Sequence, residues 1–252
     1  MSRSVPAATA ALRVLRYLSR RPVPTPAARI ADDLGLPRSS TYHLLTAMAD
    51  QAFVTHYPDE RTWGVGVAAW EVGQGYSIQE PLARLARTPL ATLVDTVGQS
   101  AHLAVLHGAE VLYIIEERGV GKPPLVSDTG VRLPAHLTAS GRAILAALPP
   151  AQLRAIFPGS APLVLRTESG PRTRAALGRI LVQTRQRGWA TEDGEVTPGY
   201  TSVAMSIQAR ALTASIAVTW AVTDDVEVDV VLEELRRTTR LITARLGRRE
   251  LP

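Results

Sequence analysis

The chain has 252 residues, 46% hydrophobic and 20% charged, which is enough apolar surface for one large or two modest domains and excludes a globally disordered chain. It has no cysteine, which excludes disulfides, cysteine-ligated zinc, iron–sulfur clusters and a thiol nucleophile, and fits a reducing, cytoplasmic setting. The net charge of +5 suits a polyanionic partner, and residues 1 to 57 carry seven arginines (3, 13, 16, 20, 21, 29 and 38) against three aspartates, a local net of +4.

No apolar run approaches the ~18 residues of a membrane-spanning helix, so no membrane partner is expected. The first segment, "MSRSVPAATAALRVLRYLSRR", is interrupted by Arg13 and Arg16 and does not have the pattern of a signal peptide. Residues 7 to 20 read as a helix with Leu12, Leu15 and Leu18 turned inward. Three prolines in "RRPVPTP" end it. Thr25 and Pro26 then suit the N-cap and first position of a second helix, residues 26 to 34, closed by Gly35. Pro37 opens a third helix that runs to about Asp50. "FVTHY" and "TWGVG", joined by "PDER", read as a hairpin.

Residues 67 to 76 and 79 to 97 read as helices, the second kinked or broken at Pro89. "SAHLAVLHG" and "EVLYIIEER" are two strands about a glycine turn. "LTASGRAILAAL" and "RTRAALGRILVQTRQRG" are helices, and "WATED", "TSVAMSIQ" and "TASIAVTW" are strands. Residues 226 to 247 form a last amphipathic helix with Val230, Leu235, Leu241 and Ile242 inward. Strands in adjacent pairs with helices between them predict an α+β fold with an antiparallel sheet. The expected division is residues 1 to 66, a linker helix at 67 to 78, and a second domain at 79 to 252.

The third helix carries the most informative pattern. Thr41, Leu44, Leu45 and Met48 make one buried face, while Ser39, Tyr42, His43 and Thr46 share the opposite one. Short neutral donors and acceptors with an aromatic ring and an imidazole match phosphate oxygens and base edges, whereas acids there would repel a phosphate backbone. Helix, glycine turn, helix and hairpin is the order of a winged helix-turn-helix, whose second helix enters the major groove of double-stranded DNA. An ordinary pair of helices with a polar face is the other reading. Within the DNA-binding reading, Thr25, Arg38, Ser39 and Ser40 stand at helix starts for phosphate or guanine. Tyr42, His43 and Thr46 face base edges or sugar, and His56 and Arg61 flank the wing. Arg61 could instead pair with Asp59 or Glu60.

Four stretches resemble the IclR family of bacterial transcription regulators. They are "ARIADDLGLPRSSTYHLLTAMADQAFV", "LPAHLTASGRAILAAL", "RGWATEDGEVTPGYTSVAMSI" and the closing "ITARLG". The resemblance implies an N-terminal winged helix-turn-helix, a linker helix and a C-terminal GAF/PAS-like effector-binding domain. It also implies a homodimer or dimer of dimers, and a small organic or aromatic acid as effector that modulates affinity for a DNA operator. Carried over position by position, its effector pocket falls on Leu133, Ala139, Ser140, Glu192, Ser202, Ala217 and Thr219. The chain departs from the family pattern at Ser202 (usually Cys), Glu192 (commonly Asp), His43 (frequently Arg) and "SIQARALTASI", which lacks a usual glycine turn. On residue type alone, Ser140 is equally an N-cap, Glu192 a turn carboxylate facing water, and Ser202 and Thr219 plain strand residues.

The competing reading is a small-molecule-binding enzyme with an unrelated helix-turn-helix-like hairpin. His102, His107, Asp95 and Asp128 could supply a hydrolase triad on paper. There is no G-x-S-x-G elbow, no H-E-x-x-H zinc motif and no phosphate-binding G-x-x-x-x-G-K-[ST]. The alternation in "AHLAV" makes His102 a strand residue rather than a ligand. The chain is expected to have no catalytic residues, no metal site and no cofactor.

Overall fold

In the computed structural model, which describes residues 5–79, 81–159, 161–209 and 212–248, the chain divides into two units, Met1–Glu80 and Pro81–Pro252. In the first, α1 (Pro6–Leu18), α2 (Ala27–Leu34) and α3 (Arg38–Asp50) pack around Val14, Leu18, Ile30, Leu45 and Met48. Gly35 ends α2 in the left-handed conformation, φ +63°, which a glycine adopts without strain. Thr41 ties the first turn of α3 down by donating its hydroxyl to the Pro37 carbonyl at 3.0 Å. β1 (Thr25–Pro26), β2 (Val54–Tyr57) and β3 (Thr62–Val65) form an antiparallel sheet in the order β1-β3-β2. The last helix of this unit is α4 (Val67–Gln79).

Three details of this unit correct the sequence reading. Thr25 is not an N-cap. It pairs with Trp63 in β1, and α2 starts at Ala27 without a side-chain cap. Leu12 is 61% exposed, and Val14 takes the inward position on α1. The two-residue β1 was not anticipated, because only pairing with β3 makes that short segment a strand.

The second unit is built on a six-stranded antiparallel sheet in the order β6-β5-β4-β9-β8-β7. Its strands are β4 (Ser100–His107), β5 (Glu110–Glu117), β6 (Arg132–Pro134), β7 (Ala190–Asp193), β8 (Tyr200–Ala209) and β9 (Leu212–Ala221). Alternation divides β9 cleanly: Ala214, Ile216, Val218 and Trp220 face a core formed with α5 (Pro81–Val97) and α9 (Val228–Arg248), and Ala217 faces the other side. Each large side chain fully buried there, such as Leu90, Leu93 or Leu235, contributes about 1.5–3 kcal/mol. The opposite face carries α6 (Ala139–Ala147) and α8 (Arg174–Arg187), and the short α7 (Pro150–Ile156) lies between them in sequence. Neither α7 nor β6 was read from the sequence, since both are too short for periodicity to register.

α5 runs unbroken through Pro89. A proline has no N–H, so the carbonyl of Leu85 has no helical partner. Arg245 of α9 supplies one, its Nη1 donating at 3.5 Å. On α9 itself the inward set is Val231, Leu232, Leu235, Ile242 and Leu246, whereas Val230 and Leu241 are exposed. The expected inward places for those two are therefore wrong by one helical position. The turn in "SIQARALTASI" includes residues 210 and 211, outside the described residues.

Candidate functional sites

On α3 the two faces separate as the spacing predicts. Thr41, Leu45 and Met48 are buried, and Arg38, Ser39, Ser40, Tyr42, His43 and Thr46 are exposed. Arg38 is steered by Asp32 of α2, whose carboxylate accepts from its Nη2 at 3.1 Å. His56 on β2 is exposed, with its ring stacked on Trp63 at 4.3 Å. Arg61 sits at the turn of the wing with a left-handed φ of +52°. Thr25 does not share this surface. It is 6% exposed and its hydroxyl donates to the Val23 carbonyl, so its side chain is turned into the unit.

In the second unit all seven positions carried over from the family line one cavity. Strand pairing explains the assembly. Glu192 on β7 is opposite Ser202 on β8, and Ser202 is opposite Thr219 on β9. Side chains directly across a ladder share a face, so the three form a row. Ser202 donates to Glu192 Oε2 at 3.1 Å and meets Thr219 Oγ1 at 2.9 Å. A second row, Ala217 and His102, follows from the β9–β4 pairing. α6 begins above these rows. Thr138 is its N-cap, accepting from the Gly141 N–H at 2.9 Å, so Ser140 is not. Ser140 is 1% exposed, and its hydroxyl lies beside the Tyr113 phenol without a hydrogen bond of good geometry. Gly141 is required for this approach, because a Cβ there would run into the backbone of Ala135.

Glu192 is 4% exposed, which corrects the reading of it as a turn carboxylate in water. Burial pushes its carboxyl up to about 7, opposed by hydrogen bonds from the Val196 N–H and the Ser202 hydroxyl and reinforced by the charge of Glu195. The loop after β7 is held from both ends. Glu192 accepts from the Val196 N–H at 2.9 Å, and Glu195 accepts from Arg142 of α6 at 2.8 Å. Arg142 is 3% exposed and also donates to the carbonyls of His136 and Thr191, so its buried charge is fully partnered.

Several lining residues were missed in the sequence. A bulge at Leu103/Ala104 pairs Ile115 with Leu103 and Tyr113 with Ala104, so Ile115 joins the helix-covered core while Tyr113 turns to the cavity. No local signal marks that switch. Burial raises the Tyr113 phenol to about 12. His102 is a strand residue, as its alternation indicates, and it also lines the cavity. Its Nε2 and the Ser127 hydroxyl are 3.0 Å apart, and burial lowers its pKa to about 4, with the charge of Asp128 opposing. A histidine held neutral to that degree is a weak base. Ser127 and His102 together form a polar patch of the cavity wall. Among the described residues no cluster of three histidine or acidic side chains could hold a metal, and no helix is long and apolar enough to cross a membrane.

The free space of the cavity is about 30 Å³. That is room for a water, less than the ~150 Å³ that holds a benzene. Past Leu125, Tyr200 and Thr219 it adjoins a cleft of about 180 Å³ that reaches Gln99, Lys122 and Asp224. The chain's only lysine, Lys122, is paired with Asp224 at 2.9 Å across this cleft.

A winged helix-turn-helix, together with an antiparallel sheet domain enclosing a small polar cavity, defines a ligand-responsive DNA-binding regulator. The profile described as "Bacterial transcriptional regulator IclR C-terminal" matches residues 74–244, and "IclR helix-turn-helix domain" matches residues 7–58. The chain belongs to the IclR family of transcription regulators, with a helix-turn-helix DNA-binding domain and a C-terminal effector domain. It is 27% identical over 241 residues to the HTH-type transcriptional regulator XynR of Escherichia coli (strain K12), covering 94% of this chain and 95% of that protein. It shares its fold with an IclR transcriptional regulator from Alicyclobacillus acidocaldarius (TM-score 0.84, 22% identity, 96% of this chain and 99% of that one). It likewise resembles an IclR homologue from Microbacterium hydrocarbonoxydans complexed with 4-hydroxybenzoate (TM-score 0.80, 22% identity, 95% and 98%).

Proposed function

We propose that α3 reads the major groove of an operator through Arg38, Ser39, Ser40, Tyr42, His43 and Thr46. His56 and Arg61 meet the flanking backbone. A small organic or aromatic acid bound at the cavity changes operator affinity. The observation that carries the DNA-reading role is the division of α3 into a buried Thr41–Leu45–Met48 face and an exposed face of short neutral polar side chains. For the effector, support comes from the convergence of Leu133, Ala139, Ser140, Glu192, Ser202, Ala217 and Thr219 on one cavity. The Ser140 hydroxyl stands in the first turn of α6, where free N–H groups favour a carboxylate. The aromatic acid held by the Microbacterium relative fits that chemistry.

An aromatic ring exceeds the free space, so the effector enters by displacing the segment Leu125–Ser127 toward the adjoining cleft. Glu192 accepts a hydrogen bond from an effector hydroxyl, so a hydroxylated acid is favoured over a purely anionic one. The chain works as a homodimer or dimer of dimers on a dyad-symmetric site, in the cytoplasm, and regulates rather than catalyses. The test is a mobility shift with DNA upstream of its own gene, with and without 4-hydroxybenzoate and related hydroxylated aromatic acids. Specific retardation altered by one of them supports the proposal. Absence of any specific retardation removes it.

A further inference from the structure

The end of α2 organises three arginines by three consecutive residues. Asp32 holds Arg38, Asp33 accepts from Arg21 at 2.8 Å, and the Leu34 carbonyl accepts from Arg13 at 2.6 Å. Arg21 also lies over the Tyr17 ring, 4.5 Å from its centre, while the Tyr17 hydroxyl donates to Asp33 at 2.7 Å. Arg13 and Arg21 thus wall a cleft of about 340 Å³ together with Arg16, Arg20, Tyr17 and Leu34. The side chains of Arg16 and Arg20 are exposed and have no hydrogen-bond or ion-pair partner among the described residues. Four guanidinium groups therefore border one cleft whose lining includes no acidic side chain. Two of them are fixed in place by protein partners, so they lose little freedom when an anion arrives. The other two are uncommitted.

We propose that this cleft is a second phosphate-binding surface, which holds the backbone of duplex DNA beyond the segment read by α3. The inference rests on the reading of α3 as the groove helix. Arg38 begins that helix, and Asp32, Asp33 and Leu34 link it through one helix end to Arg21 and Arg13. The arginines of α3 and of the C-terminal end of α1 are thus joined through one helix end, with Asp32 and Asp33 between Arg38 and Arg21 and the cleft itself lined by arginines. Guanidinium groups suit this task because their forked donors match phosphate oxygens, and a backbone interaction of this kind adds affinity without reading sequence. It also explains why arginines cluster at this end of α1, where no carboxylate pairs with Arg16 or Arg20.

The test uses the full chain and two probes, a random-sequence duplex and DNA upstream of its own gene, titrated over a range of salt concentrations. The variants are Arg16→Gln/Arg20→Gln and Arg16→Lys/Arg20→Lys, both checked for folding by circular dichroism. Removing one arginine–phosphate pair lowers the slope of log affinity against log salt by about 0.9, so the glutamine pair should lower it by close to 2 on both probes. Its affinities for the two duplexes should fall by the same factor, and the lysine pair should keep most of the wild-type slope. A folded glutamine pair with the wild-type slope overturns the proposal. So does a loss confined to the specific duplex, which would place these residues in base reading. Wild-type retention of polyglutamate that the glutamine pair loses, with duplex slopes unchanged, assigns the cleft to an acidic protein and overturns it as well. If wild type binds neither duplex at any salt, the groove-reading role of α3 falls first and this inference falls with it.

Discussion

Glu192 and Ser202 face one another across the β7–β8 ladder, and the Ser202 hydroxyl donates to the Glu192 carboxylate at 3.1 Å inside the cavity. Because burial raises the Glu192 pKa from 4.5 to about 7, the folded chain retains a proton there that the unfolded chain has released. Stability is therefore expected to fall as pH rises through that interval, by up to roughly 3 kcal/mol from this group. Glu192→Gln should flatten this part of the profile. Urea denaturation of both proteins near either end of the interval checks it, and parallel profiles would show that Glu192 titrates normally.

Arg38→Ala and His43→Ala should each weaken specific operator binding by roughly 1–3 kcal/mol if the side chain meets a base edge. Both side chains are exposed, so folding should be unaffected. Binding measured in parallel on a random duplex separates base reading from backbone attraction. Unchanged discrimination in both variants would move the reading surface off α3.

Ser202→Trp and Ala139→Phe place bulk in a space of about 30 Å³. Overpacking should cost about 1–3 kcal/mol of stability. Each should abolish the response of DNA affinity to any effector while leaving basal DNA binding. A thermal-shift screen of hydroxylated aromatic acids on wild type and both variants checks the location. A ligand whose stabilisation survives both substitutions binds somewhere else.

Arg142→Met leaves the partly buried Glu195 beside α6 without its cationic partner, 2.8 Å away in the wild type. The expected loss is up to about 3 kcal/mol, the low end of the penalty for stranding a buried charge, because Glu195 keeps some access to water and the Asp193 N–H as a partner. Arg142→Met/Glu195→Gln should recover much of it, and a double-mutant cycle by thermal denaturation reads the coupling.

A fragment starting at Pro81 should fold alone, since the second unit has its own sheet and both of its helical layers. Circular dichroism and a cooperative melt check this. A fragment that stays unfolded where the full chain is folded would mean that the first unit is needed for its core.

Much of this architecture was legible in residue spacing. The helical period of Thr41, Leu45 and Met48 located the outward face of α3, because a helix packed on a core on one side cannot hide its pattern. Alternation found β4, β5, β8 and β9 for the same reason. Spacing could not show what pairing decides. Thr25 belongs to β1 only because Trp63 arrives from the other end of the unit. Glu192 is buried only because α6 and the following loop close over it, although its local sequence suits a solvent-facing turn. The cavity set was recognisable through family likeness and not through the residues themselves. His102 and Tyr113 escaped even that, since a bulge in the β4–β5 ladder decides which way Tyr113 faces.

The hydrogen bond from Arg245 to the carbonyl left open by Pro89 also bears on biosynthesis. It joins the first helix of the second unit to the last one, between residues 160 positions apart in the sequence. The face of the sheet covered by α5 stays half bare until Val231, Leu235 and Ile242 have left the ribosome. The first unit can complete its own core while translation continues, whereas the second completes its core only once α9 has emerged. During that interval the nascent chain exposes an apolar sheet face, the kind of surface that chaperones recognise. A premature stop within α9 would make that temporary exposure permanent.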